Sequence, residues 1–492
     1  MSIVLFSYQK FCLSLISIIC LALFPITTSK KASANEIKLP MLGDTTSGIV
    51  SLRQEHELGR AWLKMFRSRV DTLDDPLMQN YVENLIYHLA SHSEMLDRRL
   101  ELIVINNPTM NAFAVPGGVV GVHTGLFLYA ENEAQLASVL AHELAHLSQR
   151  HFARNLANQK ASSYTTMAGM LVGLILAATV GGDAGMAAMT MSQASAIDSG
   201  LRFSRQYEQE ADRLGIDTLY RAGMDPNAVP AMFERMLAAT RYIGRRPPEF
   251  LLTHPLSEKR VADARGRTSQ LPPRYYPDNL DYYLIRARAL IAIDSNAQRS
   301  INRFNNELQG HSLSTEGATY GLALAQSAAG RHVKARETLQ SLLDKEPQRF
   351  IYQFASIELE RASENYDQAF EAIEKLSRDH PNSYPLQTEL AKTLLQNRQY
   401  AQSEQVLEKL AKARPSDPNI WFELAETSGL AGDIPGVHIA RAEYYILTGI
   451  FSKAREQLRY AKRLVRQDFK LTAMIDQRLV DLETLEASMK KL

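Results

Sequence analysis

A repeat of 34 residues constrains the fold of the second half of the chain more than any other sequence feature. Pro347, Pro381 and Pro415 recur at this spacing. Three further sets of residues recur at the same spacing. One set is small (Ala335, Ala369 and Ser403), and two are aliphatic (Leu339, Ile373 and Leu407; Leu342, Leu376 and Leu410). Small residues at one helix-crossing position and a proline closing each unit predict a stack of paired helices.

This period is the pattern of tetratricopeptide (TPR) repeats, and it predicts an all-α TPR solenoid over residues 276–492. Degenerate units are expected over 282–309 and in a C-terminal pair built from 419–432 and 440–465. The prolines between Pro272 and Pro277 mark the boundary with the first half. A solenoid of this kind binds peptides or proteins on its concave face, so we expect the chemistry to lie in the first half.

Residues 1–34 have the pattern of a Sec signal peptide. Lys10 precedes an apolar run over 11–26, and Ala32-Ser33-Ala34 forms a cleavage site. An uncleaved N-terminal anchor is the alternative. Cleavage would remove Cys12 and Cys20, the two cysteines of the chain. An exported chain without thiols can hold a metal only with histidines and carboxylates.

The charge of the chain is balanced, with 55 basic and 54 acidic residues and a net charge of +1. This balance, without a long basic run, argues against a nucleic-acid partner. A second apolar run covers 167–180 and continues as a Gly-, Ala- and Met-rich stretch to 191. Its helix would be roughly 21 Å long, short of a hydrocarbon core of about 30 Å. It is predicted as a buried helix beside a loop, or as a lid or peripheral membrane contact formed by 167–191.

An HExxH motif occupies residues 142–146, inside a predicted helix over 131–157. Residues four apart share a helix face, so His142 and His146 can present two imidazoles to one ion while Glu143 acts as general base on a nearby water. His151 would lie roughly 140° around this helix from His146 and is predicted to be structural. His123 is also predicted to be structural.

A catalytic zinc site needs a third protein ligand, which we expect from the acidic stretch Ser204–Gly215. Glu208 and Asp212 are four residues apart, which suits a ligand and a carboxylate that orients an imidazole. Glu210 points away from Asp212. We therefore predict that Glu208 is the ligand, with a solvated acidic helix face as the alternative.

Two β-prone runs over 111–124 flank Pro116-Gly117-Gly118 and predict a β-hairpin. In zinc peptidases an edge strand beside the active-site helix can pair with the backbone of the substrate. Packing within the core is the equally open alternative.

Together these motifs resemble the M48 family of zinc metallopeptidases. The resemblance rests on HELAH, the preceding NEAQLA, the following Arg150-His151, the stretch NAFAVPGGVVGVHTGL over 111–126, and EQEAD. It implies a mainly α chain: a zincin-like α+β domain with a small sheet over 35–275, then the TPR solenoid. It also implies one Zn²⁺ per chain, and its ExxxD signature falls on Glu208 and Asp212.

The resemblance implies two further site residues. His254, in His254-Pro255-Leu256, matches a histidine that can occupy the open zinc position and restrain the enzyme; without the resemblance it would be a loop histidine. Arg260 would support the active site.

Together with the signal peptide and the TPR array, the resemblance implies a periplasmic endopeptidase that acts on outer-membrane β-barrel precursors. It also implies a contact with the β-barrel assembly machinery, predicted to bind the TPR groove. The alternatives are a chaperone-like adaptor with a latent or regulatory metal site, and a membrane-embedded M48 enzyme.

Overall fold

The computed structural model describes residues 50–70, 72–158, 204–242, 248–294 and 296–489. The predicted signal peptide and the apolar stretch 167–191 lie outside these residues. Among the helices that the structure describes, none is long and apolar enough to cross a membrane.

Helices and one small sheet make up the first region of the chain. The helices are α1 (Leu52–Arg67), α2 (Pro76–His92), α3 (Leu126–Tyr129), α4 (Glu133–Ser148), α5 (His151–Asn158), α6 (Arg205–Arg221), α7 (Ala228–Tyr242), α8 (Glu249–Thr253) and α9 (Glu258–Thr268). The strands are β1 (Glu101–Ile105), β2 (Ala112–Val115) and β3 (Val119–His123). The N-terminus of α4 is capped by Asn132, whose side chain accepts a hydrogen bond from Gln135 N.

The three strands lie in the order β1-β3-β2. β1 pairs with β3 in parallel, and β2 pairs with β3 antiparallel, so the predicted hairpin is present and β2 is an edge strand among the described strands. Its turn needs glycine, because Gly117 has φ +87° and a Cβ there would lie 2.4 Å from the carbonyl oxygen of Glu55. The turn therefore packs closely on α1.

The helix predicted over 131–157 is two helices, α4 and α5. Arg150 adopts φ +51° between them, which ends α4 and redirects the chain. Its guanidinium is held by the buried carboxylate of Glu55, at 3.2 Å. The break turns His151 back towards His146, so that the Nδ1 atoms of the two rings are 2.9 Å apart.

The second region is all-α. Its helices are α10 (Leu280–Ile293), α11 (Ala297–Asn306), α12 (Thr315–Ala328), α13 (His332–Leu343), α14 (Phe350–Ala362), α15 (Tyr366–Asp379), α16 (Tyr384–Gln396), α17 (Tyr400–Ala413), α18 (Pro418–Ala431), α19 (Ile434–Leu447), α20 (Phe451–Leu464) and α21 (Phe469–Met489). The small residues of the 34-residue repeat, Ala335, Ala369 and Ser403, are fully buried where helices cross. The mainly α fold predicted from the sequence is confirmed.

One apolar core extends from the first region into the array. It runs from Leu77 on α2 to Leu386 on α16. Helix α10 lies within it: Tyr282 is fully buried, stacks on Phe127 and donates a hydrogen bond to the carbonyl of Ala130 at 2.7 Å. Arg288, on the same helix, pairs at 2.6 Å with Asp75, the residue that caps the N-terminus of α2. Helix α10 thus packs on both regions.

Candidate metal centre

Three imidazoles and one carboxylate converge below α4. The donor atoms of His142, His146, Glu208 and His254 all lie within 4.8 Å of one another, and all four side chains are buried. The Nε2 atoms of His142 and His146 are 3.0 Å apart, and His254 Nδ1 lies 3.0 Å from Glu208 Oε1. Nitrogen and carboxylate donors at these spacings are those that zinc prefers.

The outer nitrogen of His142 is held by a second carboxylate. His142 Nδ1 lies 3.0 Å from Asp212 Oδ1, so this carboxylate faces the outer nitrogen of the ring, and Nε2 faces the other donors. Asp212 is therefore placed as predicted, four residues after Glu208 on α6.

His151 lies against Nδ1 of His146, the ring nitrogen that faces away from the other donors. A continuous helix was predicted to carry His151 to its far side. The two Nδ1 atoms are 2.9 Å apart, and His151 Nε2 lies 3.2 Å from Glu210 Oε2. Burial lowers the pKa of His151 to about 4, so its ring is neutral. If Nε2–H donates to Glu210, Nδ1 accepts from His146, whose Nε2 lone pair then faces the centre.

A buried arginine ties the carboxylates together. Arg260 donates to both oxygens of Asp212 at 2.7 Å and lies 2.7 Å from Glu208 Oε2. It also donates to the carbonyl of Pro255 at 2.8 Å, which anchors the loop that carries His254. Its buried charge is thus compensated by two anions, the condition under which such a group is tolerated.

Glu143 lies between this cluster and the edge strand. His254 Nε2 is 3.4 Å from Glu143 Oε1, and the backbone N–H of Ala114 on β2 hydrogen-bonds to the Glu143 carboxyl. Burial raises the pKa of Glu143 above its ordinary value, although His254 and His142 act against this. A buried carboxyl of raised pKa suits a group that accepts and returns a proton.

The electrostatics of the cluster favour an anionic Glu208 and a neutral His146. Burial opposes ionisation of Glu208, but His254 and His142 outweigh it and hold its pKa well below the usual value. Burial, reinforced by His142, depresses the pKa of His146. Burial also disfavours the His142 cation, but Asp212 and Glu208 raise its pKa to about 9.

Comparison with known proteins agrees with this geometry. The Peptidase family M48 model matches residues 76–268, and tetratricopeptide repeat models match residues 318–349 and 360–425. The chain is 36% identical to the beta-barrel assembly-enhancing protease of Escherichia coli over 92% of each chain. The chain belongs to peptidase family M48, in the group of the beta-barrel assembly-enhancing proteases.

Two further relatives match a smaller part of the chain. The beta-barrel assembly-enhancing protease of Yersinia pestis is 34% identical over 63% of each chain. The mitochondrial metalloendopeptidase OMA1 of Schizosaccharomyces pombe is 37% identical over 37% of this chain and 50% of its own length. This M48 member is therefore a metallopeptidase with TPR repeats.

The contacts of His151 with His146 and with Glu210 were not predicted from the sequence. The geometric reason is the break at Arg150, because a continuous helix would carry His151 away from His146. No glycine or asparagine signals the left-handed residue at this position. His123 lies on β3, where its Nδ1 is 2.9 Å from Thr109 Oγ1.

Proposed function

We propose that the chain is a periplasmic, zinc-dependent endopeptidase and assembly factor that acts on misassembled outer-membrane β-barrel proteins. The observation that carries the proposal is the convergence of four donors beside Glu143 and the edge strand β2. The names of the relatives support the substrate class. The signal-peptide pattern of residues 1–34 supports the periplasmic location.

His142, His146 and Glu208 would hold the zinc ion. The donor chemistry fits, because the Nε2 atoms of His142 and His146 both face the carboxylate of Glu208, at 3.5 Å, while Asp212 and His151 lie against the opposite nitrogens. When bound, zinc polarises the scissile carbonyl and lowers the pKa of a water. Asp212 and His151 orient the two imidazoles, and Arg260 fixes both carboxylates.

Glu143 takes the proton of the attacking water and returns it to the leaving amine. A substrate strand adds to the outer edge of β2, whose Ala114 contacts Glu143, and this pairing brings an extended backbone to the base. Unfolded or misassembled chains offer such a backbone, whereas a closed β-barrel does not.

His254 restrains the enzyme in this proposal. Its imidazole lies between Glu208 and Glu143, in the space that a substrate carbonyl and a water would share. This placement also supports the second candidate function, a TPR adaptor whose metal site is latent or regulatory.

The deciding experiment measures zinc content and degradation of an unfolded outer-membrane β-barrel protein, for the wild type and Glu143→Gln. The amide occupies the same space but cannot accept the proton, so we expect full zinc content and a loss of cleavage of at least about 10²–10⁴-fold. Cleavage at the wild-type rate would refute the proposed mechanism. Zinc without cleavage in both proteins would favour the adaptor.

We propose that residues 276–492 recruit the outer-membrane assembly machinery through the TPR groove. The test is co-purification of that machinery with the full chain, with Glu143→Gln and with the isolated array. Capture by the array supports recruitment, and capture by the peptidase domain alone contradicts it.

A further inference from the structure

A groove of about 630 Å³ lies along α20 and reaches the first turn of α21. It is lined by Arg455, Arg459, Lys462, Arg463 and Arg466, with Glu456 as the acidic residue among its lining side chains. We refer to these six residues as the basic groove. Its charge contrasts with the near-neutral balance of the chain.

Three cations of the basic groove lack a carboxylate partner. Arg455 pairs with Glu486, and Lys462 pairs with Asp476. Among the residues that the structure describes, Arg459, Arg463 and Arg466 form no ion pair. All three are exposed.

The spacing of these arginines adds repulsion. Arg455, Arg459 and Arg463 are four residues apart on one helix face, where like charges disfavour the helix. Glu456 accepts a hydrogen bond from the Tyr460 hydroxyl at 3.1 Å rather than pairing with an arginine. A polyanionic ligand would relieve the repulsion.

Apolar side chains project beside the basic groove at the turn between α20 and α21. Phe469 is 87% exposed and Leu464 is 52% exposed. Exposing an aromatic side chain to water to this extent is unfavourable compared with burying it. Cations next to projecting apolar side chains are typical of segments that lie in a lipid–water interface.

We propose that this turn binds the surface of an anionic lipid layer. Lipid phosphates occupy the basic groove, and Phe469 and Leu464 enter the boundary between headgroups and acyl chains. An acidic peptide would account for the arginines but not for the exposed apolar side chains of the turn. The surface uses no residue of the metal centre.

The test is co-sedimentation of the full chain with phosphatidylcholine vesicles, with or without phosphatidylglycerol. We expect binding only when phosphatidylglycerol is present. Arg459→Gln/Arg463→Gln/Arg466→Gln should lower the affinity on the order of a hundredfold at low salt. Phe469→Ser should lower it roughly tenfold.

The matched control is Lys375→Gln/Lys409→Gln/Lys412→Gln, which removes the same charge from exposed positions elsewhere on the array and should bind like the wild type. Circular dichroism verifies that each variant is folded. Equal binding by the two triple variants, or no binding to anionic vesicles, overturns the proposal. Full displacement by inorganic phosphate with no effect of Phe469→Ser indicates a free-anion site, and capture of polyglutamate but not vesicles indicates an acidic protein partner; either overturns it.

Discussion

The TPR array and the metal centre are assembled in opposite ways. Array residues 34 apart, such as Ala335 and Ala369, occupy equivalent buried positions, and each helix packs mainly on its neighbours in sequence. The metal centre joins His142 and Glu208, which lie on different helices, with His254, which follows α8 in a loop; these residues are separated by up to 112 positions. The 34-residue repeat allows the array to be predicted from the sequence. The side chains of the metal centre come together only through the tertiary fold.

The two regions also differ in what they bury. The array buries mostly apolar side chains, whereas the metal centre and its supporting residues bury four imidazoles, three carboxylates and a guanidinium in contact. Such a cluster is costly to desolvate and rarely improves stability over apolar packing. Its presence is therefore explained by chemistry rather than by folding.

The largest effect is expected from cutting the chain between the two regions. We expect residues 35–275 to be less stable than residues 35–294, because only the longer chain keeps Tyr282 and Ile285 of α10, both fully buried. Burying two such side chains contributes about 3–6 kcal/mol. Urea unfolding of the two fragments measures the difference. Equal stability would assign α10 to the array alone and support a domain boundary at 275.

The second prediction concerns the acidic helix α6. Glu208→Gln should lower zinc affinity by more than the roughly 10–100-fold that is typical when a residue hydrogen-bonded to a metal ligand is lost. Glu210→Gln should bind zinc nearly as well as the wild type, because an amide oxygen can still accept from His151. Chelator competition at one pH measures both affinities. The reverse order of effects would place the ligand two residues away.

The sequence could predict the parts of the site that are local. HExxH identifies three side chains on one helix, and a spacing of four relates Glu208 to Asp212. His254 and Arg260 were available only through family resemblance, because no local pattern tells which loop returns to the centre. His151 was lost because periodicity extended α4 across Arg150, where a buried ion pair with Glu55 holds a left-handed residue.

The third prediction tests the contact between His151 and His146, which the helical periodicity of the sequence does not predict. His151→Phe keeps the ring that stacks on Tyr207 but removes the acceptor for His146. We expect zinc affinity to fall about 10–100-fold, with the stability of the metal-free protein little changed. His151→Gln, which restores an acceptor, should recover part of the affinity. Unchanged affinity in the phenylalanine variant would limit His151 to packing.

The smallest effect is expected from His254→Ala, which removes a side chain that crowds the site. His254 Nδ1 lies 3.4 Å from His142 Nε2, and its Nε2 lies 3.4 Å from Glu143, so the ring separates the metal-facing donors from the base. The variant should cleave unfolded substrate severalfold faster and cleave itself, and adding Glu143→Gln should abolish both activities. Zinc should be retained by the remaining three ligands.

The control for His254→Ala separates a removed ligand from a loosened loop. Phe250 stacks on the His254 ring at 4.7 Å and is buried on α8, so Phe250→Ala loosens the same segment while leaving the imidazole in place. If both variants gained activity equally, mobility of α8 would be the restraint. If His254→Ala left cleavage unchanged or lowered it, the histidine would not restrain the enzyme. A gain confined to His254→Ala would show that one side chain, brought in by the tertiary fold alone, sets the activity of the centre.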